Sequence, residues 1–143
     1  MLCVGNIKEK YMKEGIAEYE KRLSRFCKIN FIQVQEESNL EKEGQALVKR
    51  LPGSGLRIAL DLGGKQLDSL EFAGIFTSNN LMGISSYIFI IGGSDGMDET
   101  VLQSCDLRLC LSKMTFTHQM TRLILMEQLY RAMKINNNEV YHK

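Results

Sequence analysis

The sequence predicts an α/β fold built on a mostly parallel sheet, and three observations lead there. Strand-like and helix-like segments alternate along the whole chain, which is the pattern of βαβ units. The segment Tyr87-Ile88-Phe89-Ile90-Ile91 is apolar on both faces, as a central parallel strand covered by helices must be. A glycine turn, Gly92-Gly93-Ser94-Asp95-Gly96, follows it directly, and open α/β sheets bind ligands beyond such strand ends.

Taken in order, residues 2–5 read as a short first strand. Apolar residues then recur at Met12, Ile16, Tyr19, Leu23 and Phe26, one stripe of an amphipathic helix with Lys and Glu opposite. Ile29 to Val34 is rich in β-branched and aromatic residues and reads as a second strand. Residues 36–43 form a polar, acidic loop into a helix expected to turn Leu40, Leu47, Val48 and Leu51 inward. Pro52-Gly53-Ser54-Gly55 ends it. Leu56 to Leu62 is the third strand, closed by a tight turn at Gly63-Gly64-Lys65. Asp68 and Glu71 have the spacing of a capping box, with Ser69 the alternative cap. The helix they open carries Phe72, Ala73, Ile75 and Phe76. After the strand at 87–91, Asp98 is the expected N-cap of a short helix to about Ser104. Leu107 to Leu111 is the last strand and His118 to Lys134 the longest helix. There Met120, Leu123, Ile124, Leu125, Met126, Leu129, Tyr130 and Met133 leave only a narrow polar stripe with Glu127, Arg131 and Lys134. Such a helix must be buried on several sides, deep in the domain or against a partner subunit. Glu127 and Arg131 stand four apart, so a local ion pair explains Arg131 as well as a functional role does.

A length of 143 residues implies a single domain spanning 1–143. With 44% hydrophobic and 24% charged residues, the balance is that of a soluble globular protein. One Pro and no Ser/Gly tract leave no linker, and no repeat is visible. The apolar run Met1 to Val4 is too short for a secretory signal, and residues 87–91 fall far short of a membrane span. The expected location is therefore the cytoplasm. Cys3, Cys27, Cys105 and Cys110 contain no Cys-x-x-Cys pair, and Cys105, Cys110, His118 and His142 match no common zinc spacing. Core thiols and no metal are expected. The net charge of +1 is low for a nucleic-acid binder. Residues 113–143 nevertheless hold Lys113, Arg122, Arg131, Lys134 and Lys143 against Glu127 and Glu139, a bias that a solvated helix face explains equally.

Three segments carry chemical signals. The glycine turn lets a backbone approach a nucleotide, although it is neither Gly-x-Gly-x-x-Gly nor a P-loop, and a structural turn reads the same. Leu111-Ser112-Lys113-Met114-Thr115-Phe116 is a strand end running into a loop suited to wrap an adenine, with Met114 or Phe116 stacked on it. The tail, Asn136 to Lys143, carries Tyr141 and His142 where frayed surface is the usual reading.

The order GGSDG, LSKMTFTHQMTRLILMEQLYRA and VYHK, together with IKEKYMKEGIAEYEKRL and LRIALDLGGKQL upstream, resembles the ribosomal RNA large subunit methyltransferase H family of SPOUT enzymes. The likeness covers nearly the whole chain. It implies a homodimeric α/β domain with a C-terminal trefoil knot, using S-adenosylmethionine to methylate N3 of a pseudouridine in large-subunit RNA of the assembled ribosome. By position it implies cofactor contacts at Leu60, Gly92, Leu111, Ser112, Lys113, Met114, Thr115 and Phe116. It also implies substrate or catalytic roles for Arg131, Tyr141 and His142, with one subunit's tail near the other's cofactor segment. His142 is the first choice of general base and His118 the second; Arg131 would stabilise charge developing on the ring oxygens. The chain departs from the family pattern in a short first strand, an acidic loop before Glu41 reduced by roughly a dozen residues, and Thr117 in place of the usual Pro. Two rival readings are a SPOUT enzyme acting on another RNA such as transfer RNA, and a non-catalytic ribosome-binding module.

Overall fold

Five strands and five helices alternate in a computed structural model that describes residues 1–143. The chain folds as two compact units. The first comprises Met1–Asn6, Asn30–Gln66 and Ser86–His118. It holds a wholly parallel sheet in the order β2-β1-β4-β3-β5, where β1 is Leu2–Val4, β2 Ile32–Val34, β3 Leu56–Gln66, β4 Tyr87–Ile91 and β5 Leu107–Cys110. Helices α2 (Leu40–Arg50) and α4 (Glu99–Gln103) belong to the same unit. Its core joins Leu2, Val4, Val34, Ile88 and Ile90 of alternate strand positions to Leu47 of α2 and Val101 of α4. Phe89 and Ile91, on the opposite side of β4, are buried as well, as expected of a central strand. Each such aliphatic side chain contributes about 1.5–3 kcal/mol by leaving water.

Three details differ from expectation. Strand β2 starts at Ile32 rather than Ile29, because β1 offers only Leu2 to Val4 to pair with. Strand β3 does not stop at Leu62 in a tight turn. It continues to Gln66, with a register shift against β5 between Leu60 and Lys65, so the glycines form an irregularity inside a strand. Asp61 fixes it by accepting from Nε and Nη2 of Arg108 at 2.9 and 2.6 Å. In α2, Leu40 and Val48 face water at 37% and 41% exposure, and the buried stripe is Glu43, Gly44 and Leu47. The helix is rotated because Gly44 lies against α4: a Cβ there would stand 2.6 Å from Cβ of Asp98. The caps explain where these helices start. Asn39 Oδ1 accepts from the backbone of Glu41 and Lys42 at 2.8 and 3.2 Å, and Asp98 Oδ1 from that of Thr100 at 2.9 Å.

The second unit comprises Ile7–Ile29, Leu67–Ser85 and Gln119–Lys143. It contains α1 (Lys10–Leu23), α3 (Ser69–Leu81) and nearly all of α5 (His118–Asn136). Met12, Ile16 and Leu23 are the buried stripe of α1, and Gly15 lets it approach α5, since a Cβ would come 3.0 Å from Cδ1 of Leu123. Asp68, not Ser69, caps α3. Its Oδ1 accepts from Glu71 N at 2.7 Å, while Glu71 Oε2 accepts from Asp68 N at 2.9 Å, closing the box. No residue of α5 from 118 to 135 is fully exposed, as its nearly unbroken apolar surface requires. Arg122 is buried there at 1% exposure, so it is not part of a solvated basic face. The four cysteines are free thiols, and no helix is long and apolar enough to cross a membrane.

Candidate active site

Strand register brings the three cofactor segments read from the sequence to one edge of the sheet. Leu60 of β3 pairs with Ile91 of β4 on one side and with Leu109 of β5 on the other. Gly92 and Leu111 thus leave the two strands that flank Leu60. Gly92 is buried and has no space for a side chain: a Cβ would lie 2.1 Å from the carbonyl oxygen of Gly96 and 2.6 Å from Cγ of Met97. The turn folds back on itself where Gly96 N donates to Gly93 O at 3.3 Å, and Gly96 has a φ of +90° that glycine adopts without strain. Glu43 accepts from Gly93 N at 3.1 Å.

After β5, Cys110 Sγ donates to the carbonyl of Ser112 at 3.0 Å and Ser112 Oγ accepts from Met114 N at 2.9 Å, shaping the loop from within. Leu111 and Ser112 are half-buried, whereas Lys113, Met114, Thr115 and Phe116 are exposed, Met114 at 73%. Exposed Met114 and Phe116 follow half-buried Leu111 on this loop, and such apolar side chains with loop backbone between them are chemically suited to an adenosyl group. His118 stands at the same end of the sheet, with Nε2 3.6 Å from where a Cβ on Gly5 would stand, just after β1, whose Cys3 pairs with Ile91.

Arg131, Tyr141 and His142 come together in the other unit, around Glu127. Glu127 Oε1 accepts from Arg131 Nη2 at 2.5 Å and from the Tyr141 hydroxyl at 3.2 Å. Arg131 Nη1 stands 3.4 Å from His142 Nδ1, and its guanidinium lies 4.8 Å from the Tyr141 ring centroid. Tyr141 also meets Tyr130 edge-on at 4.9 Å. Glu139 is held by Lys134 at 2.5 Å and by Arg25. The local ion pair anticipated for Arg131 is therefore real, and it also anchors the tail, which is not frayed. Burial, a hydrogen bond with Tyr19 and the Glu127 carboxylate push the Tyr141 phenol well above its ordinary pKa, so it is a neutral donor. The hydrogen bond to Glu127 raises Arg131 further and keeps it cationic.

The family described as "Predicted SPOUT methyltransferase" matches residues 1–142. The chain belongs to the SPOUT methyltransferase family. The protein named Ribosomal RNA large subunit methyltransferase H from Acetivibrio thermocellus is 48% identical over 155 residues, covering 100% of this chain and 98% of that one. The protein of the same name from Ruminiclostridium cellulolyticum is 47% identical, covering 99% and 96%. An A. aeolicus TrmH/SpoU tRNA modifying enzyme of solved structure is only loosely similar, at a TM-score of 0.47 and 10% identity over 96% of this chain and 76% of that one. The first alignment runs over 155 residues against a chain of 143, so this SPOUT chain lacks about a dozen positions inside the aligned span. In this chain residues 35–39 alone separate β2 from α2.

Two carboxylates of this SPOUT chain escaped the sequence reading. Glu43 falls at the end of a polar stretch of sequence, and its one signal is a charge four residues before Leu47 in the same helical stripe. The spacing of Glu127 points only to Arg131, because nothing in it shows that Tyr141 folds back onto the same carboxylate.

Proposed function

We propose that this SPOUT methyltransferase transfers a methyl group from S-adenosylmethionine to N3 of a pseudouridine in the large-subunit RNA of the assembled ribosome. In this reading it works in the cytoplasm as a homodimer, with residues 1–143 a single domain whose C-terminal part is a trefoil knot. The observation that carries the proposal is the 42–48% identity, across the full chain, to proteins named Ribosomal RNA large subunit methyltransferase H.

S-adenosylmethionine supplies a methyl already activated on sulfonium. Leu60, Gly92 and the segment Leu111, Ser112, Lys113, Met114, Thr115 and Phe116 bind it, with Met114 and Phe116 as apolar walls and backbone groups reading the adenine. Alignment of the acceptor nitrogen with that methyl provides much of the acceleration. Arg131 stabilises the charge that grows on the ring oxygens as N3 loses its proton. Its bond to Glu127 fixes the guanidinium beforehand. Tyr141, held neutral, orients the acceptor as a donor or stacking surface. His142 takes the N3 proton. An Arg131 donor at Nδ1 puts the neutral imidazole's proton on Nε2, so His142 exchanges that contact before its lone pair meets the substrate. In the dimer each tail serves the cofactor segment of the partner subunit.

The test is methyl transfer from labelled S-adenosylmethionine to purified ribosomes, with free ribosomal RNA and transfer RNA as parallel acceptors. Label on ribosomes, mapping to a pseudouridine, is expected. Label on transfer RNA alone moves the enzyme to another substrate, and no label with any acceptor makes it a binding module. His142→Ala is expected to lose most turnover while binding the cofactor; full methylation by that variant sinks the base assignment.

A further inference from the structure

We infer that Glu43 is a positioning residue for the cofactor turn, acting through Gly93 rather than on the substrate. The inference rests on the reading that Gly92 and its neighbours bind S-adenosylmethionine. Glu43 is 5% exposed, and with Arg122 it is one of the two buried charged residues of the protein. Its Oε1 accepts from Gly93 N at 3.1 Å, and its Oε2 lies 3.4 Å from Glu37 N. A carboxylate is kept from water at a cost, and hydrogen bonds aimed at it offset that cost. Here the principal donor is the backbone of the glycine turn itself.

The contact is close enough that a side chain on Gly93 would displace the Glu43 carboxylate. A Cβ there would stand 2.9 and 3.0 Å from the two carboxylate oxygens, so the glycine and the glutamate are matched in shape. Gly93 is also committed on its carbonyl side, which accepts from Gly96 N at 3.3 Å. Both polar backbone groups of the residue after Gly92 are therefore tied, one to α2 and one across the turn. Helix α2 is itself set in place at two points: Asn39 caps its start, and Gly44 brings it against Asp98 at the start of α4. The carboxylate thus connects a fixed helix to the turn that leaves β4. The neighbouring acidic residue Glu36 reaches the same turn through Ser94 Oγ at 3.4 Å, but is exposed and replaceable by water.

The expected signature is a defect in cofactor affinity that stability loss does not explain. Glu43→Ala leaves Gly93 N–H buried beside a void, and is expected to weaken binding of S-adenosylhomocysteine, measured by calorimetry, by about tenfold to a hundredfold. Turnover at saturating S-adenosylmethionine should stay within a few-fold of wild type, so that KM carries the change. Glu43→Gln retains an oxygen able to accept from Gly93 and should recover most of the affinity. Val34→Ala in the same core lowers thermal stability without touching the turn, and should bind the cofactor as wild type does. Glu43→Ala with wild-type affinity, or Val34→Ala with an equal loss of affinity at matched stability, overturns the inference. Glutamine no better than alanine overturns it too. A wild-type chain that binds neither S-adenosylmethionine nor S-adenosylhomocysteine defeats the cofactor reading instead, and the two failures are thereby distinct.

Discussion

Gly92 shows how little freedom the site leaves at a single residue. The methyl of an alanine there would overlap the Gly96 carbonyl at 2.1 Å and the Met97 side chain at 2.6 Å, and the first of these is backbone that cannot rotate away. Gly92→Ala is expected to lower stability by about 1–3 kcal/mol, the usual cost of overpacking, as read from the urea midpoint, and to lose cofactor binding. A variant that unfolds at the wild-type midpoint contradicts the steric account. Tyr141 makes a different prediction, through pH. Its phenol is raised above an ordinary value of 10.0, first by burial, so the neutral form is favoured in the folded state. The stability it contributes is complete below about pH 10 and disappears as pH climbs through the folded pKa. Thermal midpoints measured from about pH 8 to about pH 11 should therefore fall more steeply for wild type than for Tyr141→Phe. Tyr87, also raised by burial, remains in both proteins and cancels in the comparison. Equal slopes would show that the phenol's surroundings do not favour its neutral form. At this scale the sequence showed a glycine turn after β4 and the four-residue spacing of Glu127 and Arg131. It did not reveal Glu43 or the burial of Arg122, because burial of a charge is decided by which helix face meets which neighbour, and composition carries no such information.

The elements were legible wherever a local signal decided them. Strand β4 declared itself by five consecutive apolar residues, and α3 by the three-residue spacing of Asp68 and Glu71. Replacing Asp68 by alanine removes one half of that box and is expected to cost about 1 kcal/mol, seen as a lower thermal midpoint. An unchanged midpoint would mean that packing of Phe72 and Phe76 alone fixes the start of α3. Where two local signals compete, tertiary pairing chooses. Gly63-Gly64 reads as a turn, yet the chain stays extended. Gly64 permits the backbone of β3 to pass Arg108 closely, since a Cβ would come 2.6 Å from the Arg108 carbonyl carbon, and Asp61 holds the same arginine. Helix α2 failed in its face rather than its existence, because the closest approach is set by Gly44, a residue with no hydrophobic weight in a periodicity argument. The rotation that turns Val48 outward is the one that delivers Glu43 to Gly93.

For the whole molecule, the chemistry read from the sequence divides between the two compact units. Leu60, Gly92 and Leu111 to Phe116 all belong to the first, and Arg131, Tyr141 and His142 to the second. Parallel register gathers the first set and the chain end forms the second, so the two should be separable by truncation. A chain ending at Asn138 loses Glu139, which is gripped by Lys134 and Arg25, and with it Tyr141 and His142. It keeps every residue proposed to bind the cofactor and the length of α5, which ends at Asn136. We expect this truncated protein to bind S-adenosylhomocysteine within a few-fold of wild type while methyl transfer to ribosomes falls below detection. Calorimetry and label incorporation on the same preparation measure the two quantities independently. Retained transfer would remove the tail from the chemistry and leave Arg131 as the only candidate of its unit in place. Loss of cofactor binding together with transfer would mean that the last five residues complete the cofactor site itself. Salt bears on the same experiment: the salt dependence of ribosome binding follows the number of phosphates contacted, so a tail that acts only in catalysis lowers transfer equally at low and moderate ionic strength. A tail that acts mainly by holding phosphate through Lys143 would instead give a defect that shrinks as salt rises, because the wild type loses the extra contact.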